Sequence, residues 1–267
     1  MKVRLYAFFA FVIFASAAVA QTGPGPVDPL YLTYSEAGGY TNIVVVQGNT
    51  VTNFAEAYGA PYEVPIAVYG DIRTTGYENG FSTGGQYALA GTPTGTRYSL
   101  PGVISAAYDS TSDGTHNFLV DYNTGDVYET ARDYTNAIKL FTPGEYRLGI
   151  TFDAANDSLW ISGSLNGSVT DYSLNGALLT AFYTGHPHIG ALALDPGDQT
   201  LWLVNDDTGY LQQYSQGGVL LSTGPWVGHT DGGEFNLQEV PESGSVPMLL
   251  LSLLVVSGAI WVHARPE

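Results

Sequence analysis

Between residues 21 and 239 no stretch sustains the 3.6-residue apolar period of an amphipathic helix. Short runs of alternating or clustered apolar residues are instead broken by Gly, Asn, Asp and Pro. This pattern predicts an all-β chain of short strands and tight turns. The stretch from Gly190, "GALALDPGDQTLWLVNDDTGYLQQYSQGGVLLSTG", shows the unit: strands "ALALD", "TLWLV", "GYLQQY" and "GVLLS" separated by polar turns.

The unit recurs. In "GITFDAANDSLWISGSLNGSVTDYSLNGALLTAFYTG", from Gly149, Asp153 matches Asp195, Trp160 matches Trp202, Gly167 matches Gly209 and Tyr172 matches Tyr214, each pair 42 residues apart. One period upstream, "AAYDSTSDGTHNFLVDYNTGDVYETARD" places Phe118 and Gly125 in the same register. Asp109 stands 44 residues before Asp153 and reads as the matching aspartate if the first turn of that copy is two residues longer.

Four strands in 40–45 residues is the size of a propeller blade. A four-stranded unit cannot bury both faces alone, so copies stack. On this reading Trp160 and Trp202 pack blade against blade. Gly167 and Gly209 supply a positive φ in the following hairpin, and Asp109, Asp153 and Asp195 cap turns. The clearest copies are 103–144, 145–186 and 187–226. Upstream, "IVVVQGNTVTNFAEAY" and "GQYALAGTPTGTRYSL" look like blade hairpins without the Trp register. About five blades fit, and "GGEFNLQEV" (232–240), alternating Phe235 with Leu237, is placed to complete the first blade. The alternative is a β-sandwich whose hairpin spacing mimics a repeat.

The two ends stand apart from this pattern. Residues 1–20, "MKVRLYAFFAFVIFASAAVA", carry a basic head, an apolar centre and small residues Ala18 and Ala20 before Gln21, as signal peptidase requires. At the other end Met248–Val262 is a 15-residue apolar run, short for a permanent span. Including Val246 and Pro247 makes 246–262 a marginal single transmembrane helix, and Arg265 follows as a cytoplasmic-side stop.

Composition narrows the function. The chain has no cysteine, which removes disulfides, thiolate catalysis and Cys-bound metals. The net charge of −17 argues against nucleic acid and anionic polymers. Only Arg73, Arg97, Arg132, Lys139 and Arg147 lie between the termini. His186 and His188 in "TGHPHIG" are two apart and form a weak candidate metal pair, with no third ligand nearby in sequence. His116 and His229 lack the neighbours of a catalytic triad. "SDGT" (112–115) and "NDDTG" (205–209) are acidic turns without EF-hand spacing. No cofactor and no catalytic residue is assigned. The 19 tyrosines could stack on sugars, although blade faces also use tyrosine.

Two resemblances follow from these residues. "GITFDAANDSLWISG" and "ALALDPGDQTLWLVNDDTGYLQQYSQGG" resemble repeats of six-bladed NHL-type and gluconolactonase-type propellers, over about residues 103–225. The resemblance implies architecture. Gluconolactonase-type enzymes hold a divalent metal in the central channel with Glu, Asn and Asp, so a metal-dependent lactonase or hydrolase is the competing expectation.

The tail, "VPESGS" at 240–245 with its helix and Arg265, resembles the PEP-CTERM sorting signal, close to a VPDSG-like variant. Pro241 and Glu242 match its Pro and acidic positions, Gly244 and Ser245 its small residues. Val240 opens the motif, and Ser243 departs from it by replacing the second proline. The resemblance implies processing by exosortase, a membrane-embedded transpeptidase, after transient membrane anchoring. The chain is therefore expected to be an exported binding or scaffolding propeller of the bacterial surface or matrix, its surface ligand unspecified. A purely structural matrix component is the third expectation.

Overall fold

The computed structural model describes residues 23–35, 40–80, 83–144 and 146–238. The cleavage residues Ala18, Ala20 and Gln21, the 240–245 motif, the apolar run and Arg265 lie outside the described residues. Among the described residues no helix is long and apolar enough to cross a membrane.

Five antiparallel sheets of four strands form the blades. Blade 2 comprises β4 (Glu63–Val68), β5 (Ile72–Gly76), β6 (Thr83–Tyr87) and β7 (Pro93–Ser99). Blade 3 comprises β8 (Ser110–Ser112), β9 (His116–Val120), β10 (Val127–Ala131) and β11 (Ile138–Phe141). Blade 4 comprises β12 (Arg147–Asp153), β13 (Ser158–Gly163), β14 (Ser168–Ser173) and β15 (Leu178–Tyr183). Blade 5 comprises β16 (Ile189–Leu194), β17 (Leu201–Asn205), β18 (Tyr210–Tyr214) and β19 (Leu220–Trp226).

Blade 1 is composite. Its outer three strands, β1 (Leu30–Ser35), β2 (Tyr40–Gln47) and β3 (Thr50–Pro61), come from the start of the propeller, and its innermost strand, β20 (Gly233–Phe235), from the end. β20 pairs Leu30 with Phe235, Tyr31 with Glu234 and Leu32 with Gly233. The innermost strands then touch in the cyclic order β20, β4, β8, β12, β16 and back to β20. This ring overturns the sandwich alternative, in which two sheets would face each other.

Strand register identifies equivalent positions. Phe118 pairs Thr111, Trp160 pairs Thr151 and Trp202 pairs Ala193 between the first and second strands. The same position holds Tyr31 in blade 1, opposite Glu234, and Arg73 in blade 2, opposite Ala67. All five side chains bind their blade to the next. Tyr31 packs with Ile66, Val68 and Tyr87; Arg73 donates to the Arg132 carbonyl at 2.8 Å; Phe118 stacks on Phe152 with centroids 5.8 Å apart. Trp160 is buried with Ile189, Leu192 and Leu203, and Trp202 joins the cluster that holds Leu30, Leu32 and Phe235.

Third-strand tyrosines tie each blade to the one before: Tyr172 meets Phe141 at 5.5 Å and Tyr214 meets Phe182 at 5.7 Å. Gly125, Gly167 and Gly209 all adopt positive φ. At Gly167 a Cβ would also lie 1.9 Å from the His186 carbonyl oxygen, so that turn requires glycine twice over.

Asp109 is not equivalent to Asp153. Because Thr111 and Thr151 share a position, the counterpart of Asp153 and Asp195 is Asp113, two residues beyond Thr111. Asp113, Asp153 and Asp195 each end an innermost strand and accept the amide two residues on, from Thr115, Ala155 and Gly197 at 2.7, 2.9 and 2.8 Å. Asp109 precedes β8 at its opposite end. Counted from Asp113 to Phe118, the first turn of this blade is two residues shorter than that from Asp153 to Trp160, not two longer.

Since Trp160 and Trp202 fill equivalent gaps, Trp160→Ala and Trp202→Ala should each lower stability by about 3–5 kcal/mol. Denaturant unfolding checks this, and an exposed substitution such as Leu178→Ala should change little.

Candidate functional site

Two buried carboxyl groups lie among the innermost strands where these meet. At the position of Ala67, Thr111, Thr151 and Ala193, the closing strand carries Glu234. Its side chain crosses the axis to the opposite blades. Oε2 accepts the Thr111 hydroxyl at 2.5 Å, and both oxygens accept the Thr151 hydroxyl at 2.9 and 3.0 Å. Asp109 sits one layer away, accepting the amides of Ser110, Ile150 and Gly233 at 2.9, 3.1 and 3.0 Å.

Both carboxyls are fully buried. Burial pushes Glu234 far above the ordinary glutamate range. Burial, and then the nearby Glu234, does the same to Asp109. Glu63, whose carboxyl accepts Thr74 and Tyr87 hydroxyls, is likewise raised by burial. All three side chains are sealed from solvent, and among the described residues no three His, Asp or Glu lie together as metal ligands.

The accessible chemistry lies on the face where the innermost strands begin, here termed the upper face. In blades 2, 4 and 5 the residue before the innermost strand accepts an amide from the residue after the second strand, and in blade 3 Ala106 and Tyr122 make the same bond at the equivalent register. Tyr77 donates to Tyr62 at 3.0 Å, Tyr122 to Ala106 at 2.8 Å, Ser164 to Tyr146 at 2.8 Å and Asp206 to His188 at 3.1 Å. Amides of Ala107 and Tyr146 link this belt to the preceding blade through the Tyr77 and Tyr122 carbonyls, at 2.8 and 2.9 Å.

One constant backbone belt thus presents different side chains. Over blades 2 to 4 they form an unbroken chain of rings, Tyr62, Tyr77, Tyr108, Tyr122 and Tyr146, with centroid separations of 5.0, 5.6, 5.1 and 5.6 Å. The end members are the most open, at 40% and 43% exposure. Tyr62 and Tyr146 also hold φ of 66° and 58°. A bulky side chain in the left-handed region costs about 1–2 kcal/mol, and such positions persist where the surroundings over-determine them, often at functional surfaces. Burial and a hydrogen bond to Glu78 push Tyr77 up to about 12, while burial and Asp231 raise Tyr108. Tyr77 and Tyr108 at the centre of the chain therefore hold their hydroxyl protons more tightly than a free tyrosine.

Over blades 5 and 1 the same face is acidic and imidazole-bearing. His188 Nδ1 lies 2.7 Å from Asp207 Oδ1. His229 stands 4.0 Å from Asp206, which burial and then Asp231 raise to about 7. His186 and His188 are divided: the His186 amide and carbonyl bond the Thr184 hydroxyl, and the His188 ring is engaged by Asp207. On the lower face His116 lies 3.2 Å from Asp113 and 3.9 Å from Glu129. In the two acidic turns Asp113 and Asn205 side chains accept backbone amides.

Sequence reading missed the tyrosine arc, although its signal was present: Tyr146 and His188 are 42 residues apart and Tyr62 is two periods before Tyr146.

No family model matches the chain, and no curated protein matches it. Among solved structures, it is similar to a chain of a nidogen/laminin complex. The TM-score is 0.57 at 12% identity, with 79% of this chain and 99% of that chain covered. A streptogramin B lyase is matched at TM-score 0.46 and 20% identity, covering 76% of this chain and 69% of that one. For a virginiamycin B lyase from Staphylococcus aureus the values are 0.44, 18%, 73% and 69%. The first likeness shows the propeller fold and leaves function open.

The raised carboxyls set a pH dependence. An acid whose folded pKa exceeds its unfolded value binds more protons when folded, so its stabilising contribution is complete below the unfolded value and lost as pH rises through the folded one. Glu234, Asp109, Glu63, Asp195 (to about 6) and Asp206 (to about 7) all act in this direction. Stability should fall between about pH 5 and pH 8, and Glu234→Gln should flatten that slope in unfolding curves taken across the range.

Proposed function

We propose that the protein is an exported binding propeller of the bacterial surface or extracellular matrix, which takes a neutral polysaccharide on the tyrosine arc of its upper face. The observation that carries this reading is the continuous five-ring chain, graded from half-buried centre to exposed ends. Tyrosine offers a rigid apolar face and a hydroxyl at little entropic cost, which suits sugar rings that are apolar on one side and hydroxylated at the edge. The carboxylates on the same face and the net charge of −17 disfavour a polyanion. Export is supported by the leader sequence, and surface sorting by the PEP-CTERM-like "VPESGS" tail, with exosortase as the processing partner.

Two measurements test the two halves. In affinity electrophoresis against neutral and anionic polysaccharides, migration should be retarded by a neutral polymer only. Tyr62→Ala and Tyr146→Ala should each weaken that binding roughly fivefold to thirtyfold, about 1–2 kcal/mol. Unchanged binding in both variants would remove the arc as the ligand site. The intact mass of protein recovered from its own cells should lack residues 1–20 and the segment after about residue 240. Recovery of the full tail would overturn the sorting reading and leave a membrane anchor.

A further inference from the structure

The outermost strand of a blade has one edge that its own sheet does not pair, and natural sheets blunt such edges with charge, proline or a covering segment. β7 carries Pro93 and Arg97, and β11 carries Lys139. β19 contains Pro225 and is covered: the Gly23 amide donates to the Thr223 carbonyl at 2.9 Å, and Gly25 lies against Pro225. Among the described residues, β15, "LLTAFY", has none of these devices.

β15 is also the neutral part of an acidic molecule. From Tyr172 to Leu194 the chain contains no Asp, Glu, Lys or Arg, although the whole carries −17. Leu178, Leu179 and Tyr183 are 63%, 51% and 72% exposed. Phe182 anchors the strand inward, its ring 6.2 Å from Trp160 and 5.7 Å from Tyr214. The edge is thus held in place, rich in exposed apolar side chains and, among the described residues, open along six residues, roughly 20 Å.

We propose that β15 pairs with β15 of a second copy of this chain, antiparallel about a two-fold axis, joining two blades 4 into one eight-stranded sheet. Three constraints select this occupant. Unpaired N–H and C=O groups along an edge are satisfied by another strand rather than by an amorphous apolar surface. Antiparallel pairing of a strand with itself is closed and self-complementary, so assembly stops at two. Two molecules of charge −17 can approach where neither presents charge, and a basic partner would find no carboxylate on β15 to recognise.

The test uses the full chain in non-ionic detergent, by sedimentation over a range of concentrations. A dimer with a micromolar dissociation constant is expected. Leu179→Lys should weaken it at least about tenfold, since it places like charges across the new pairing, while Leu220→Lys on β19, outside the proposed contact, should leave it intact. Because the chain has no cysteine, single cysteines report geometry directly. Among Leu179→Cys, Thr180→Cys and Ala181→Cys, at least one should give a disulfide-linked dimer on mild oxidation, and Leu220→Cys should not. A monomer at every concentration, or a dimer indifferent to Leu179→Lys and unlinked by all three cysteines, would overturn the proposal.

Discussion

Closure of the ring by β20 is the constraint on which the rest depends. Each blade has two apolar faces and each must be covered by a neighbour, so an open arc of five would leave two faces wet. Three residues complete it, and they do more than pair with β1. Gly233 gives its amide to Asp109 of blade 3, and Glu234 reaches the threonines of blades 3 and 4. A carboxyl at the axis is expensive to bury, yet it specifies register. Sliding β20 by one residue would turn Glu234 away from both threonines, and an apolar residue there would tolerate the slip.

The hydrogen bonds around those two acids form a connected set. Thr111 passes on from Glu234 to the Phe152 amide at 2.9 Å, and Thr151 to the Leu194 amide at 3.0 Å. Blades 1, 3, 4 and 5 are thereby linked through groups that would otherwise be unpaired at the centre. This also accounts for the difference from a channel-bearing propeller. With five blades the central residues face one another closely enough for one glutamate to span the axis, and the position that would line a channel becomes a seam.

What was legible in the sequence was the part that repeats in residue type. Trp160 and Trp202, their glycines and their tyrosines declare the period because cohesion between blades asks the same of each copy. Tyr31 and Arg73 occupy the same structural position but stayed hidden, since an aromatic phenol and a guanidinium can also bridge to a neighbour and neither resembles tryptophan. Asp109 was misassigned for the opposite reason. It matched in residue type while belonging to the far end of its strand, and only the pairing of Thr111 with Phe118 separates it from Asp113. The tyrosine arc was hidden because its repeat position carries Tyr62, Ala106, Tyr146 and His188 in turn. Identity changes there while the backbone does not.

That contrast is what favours the proposed site. Positions between blades are under one physical demand and converge on bulky apolar or bridging groups. The upper-face belt is under no such demand, because its hydrogen bonds are made by main chain alone, and its side chains are free to differ. An outward-facing site built on that belt is rigid without being costly to vary. The proposed β15 contact lies on the blade perimeter rather than on the belt, so pairing two copies would leave both tyrosine arcs uncovered. A polymeric ligand could then meet two faces on one particle, and weak stacking at each would combine through effective concentration rather than through additional contacts.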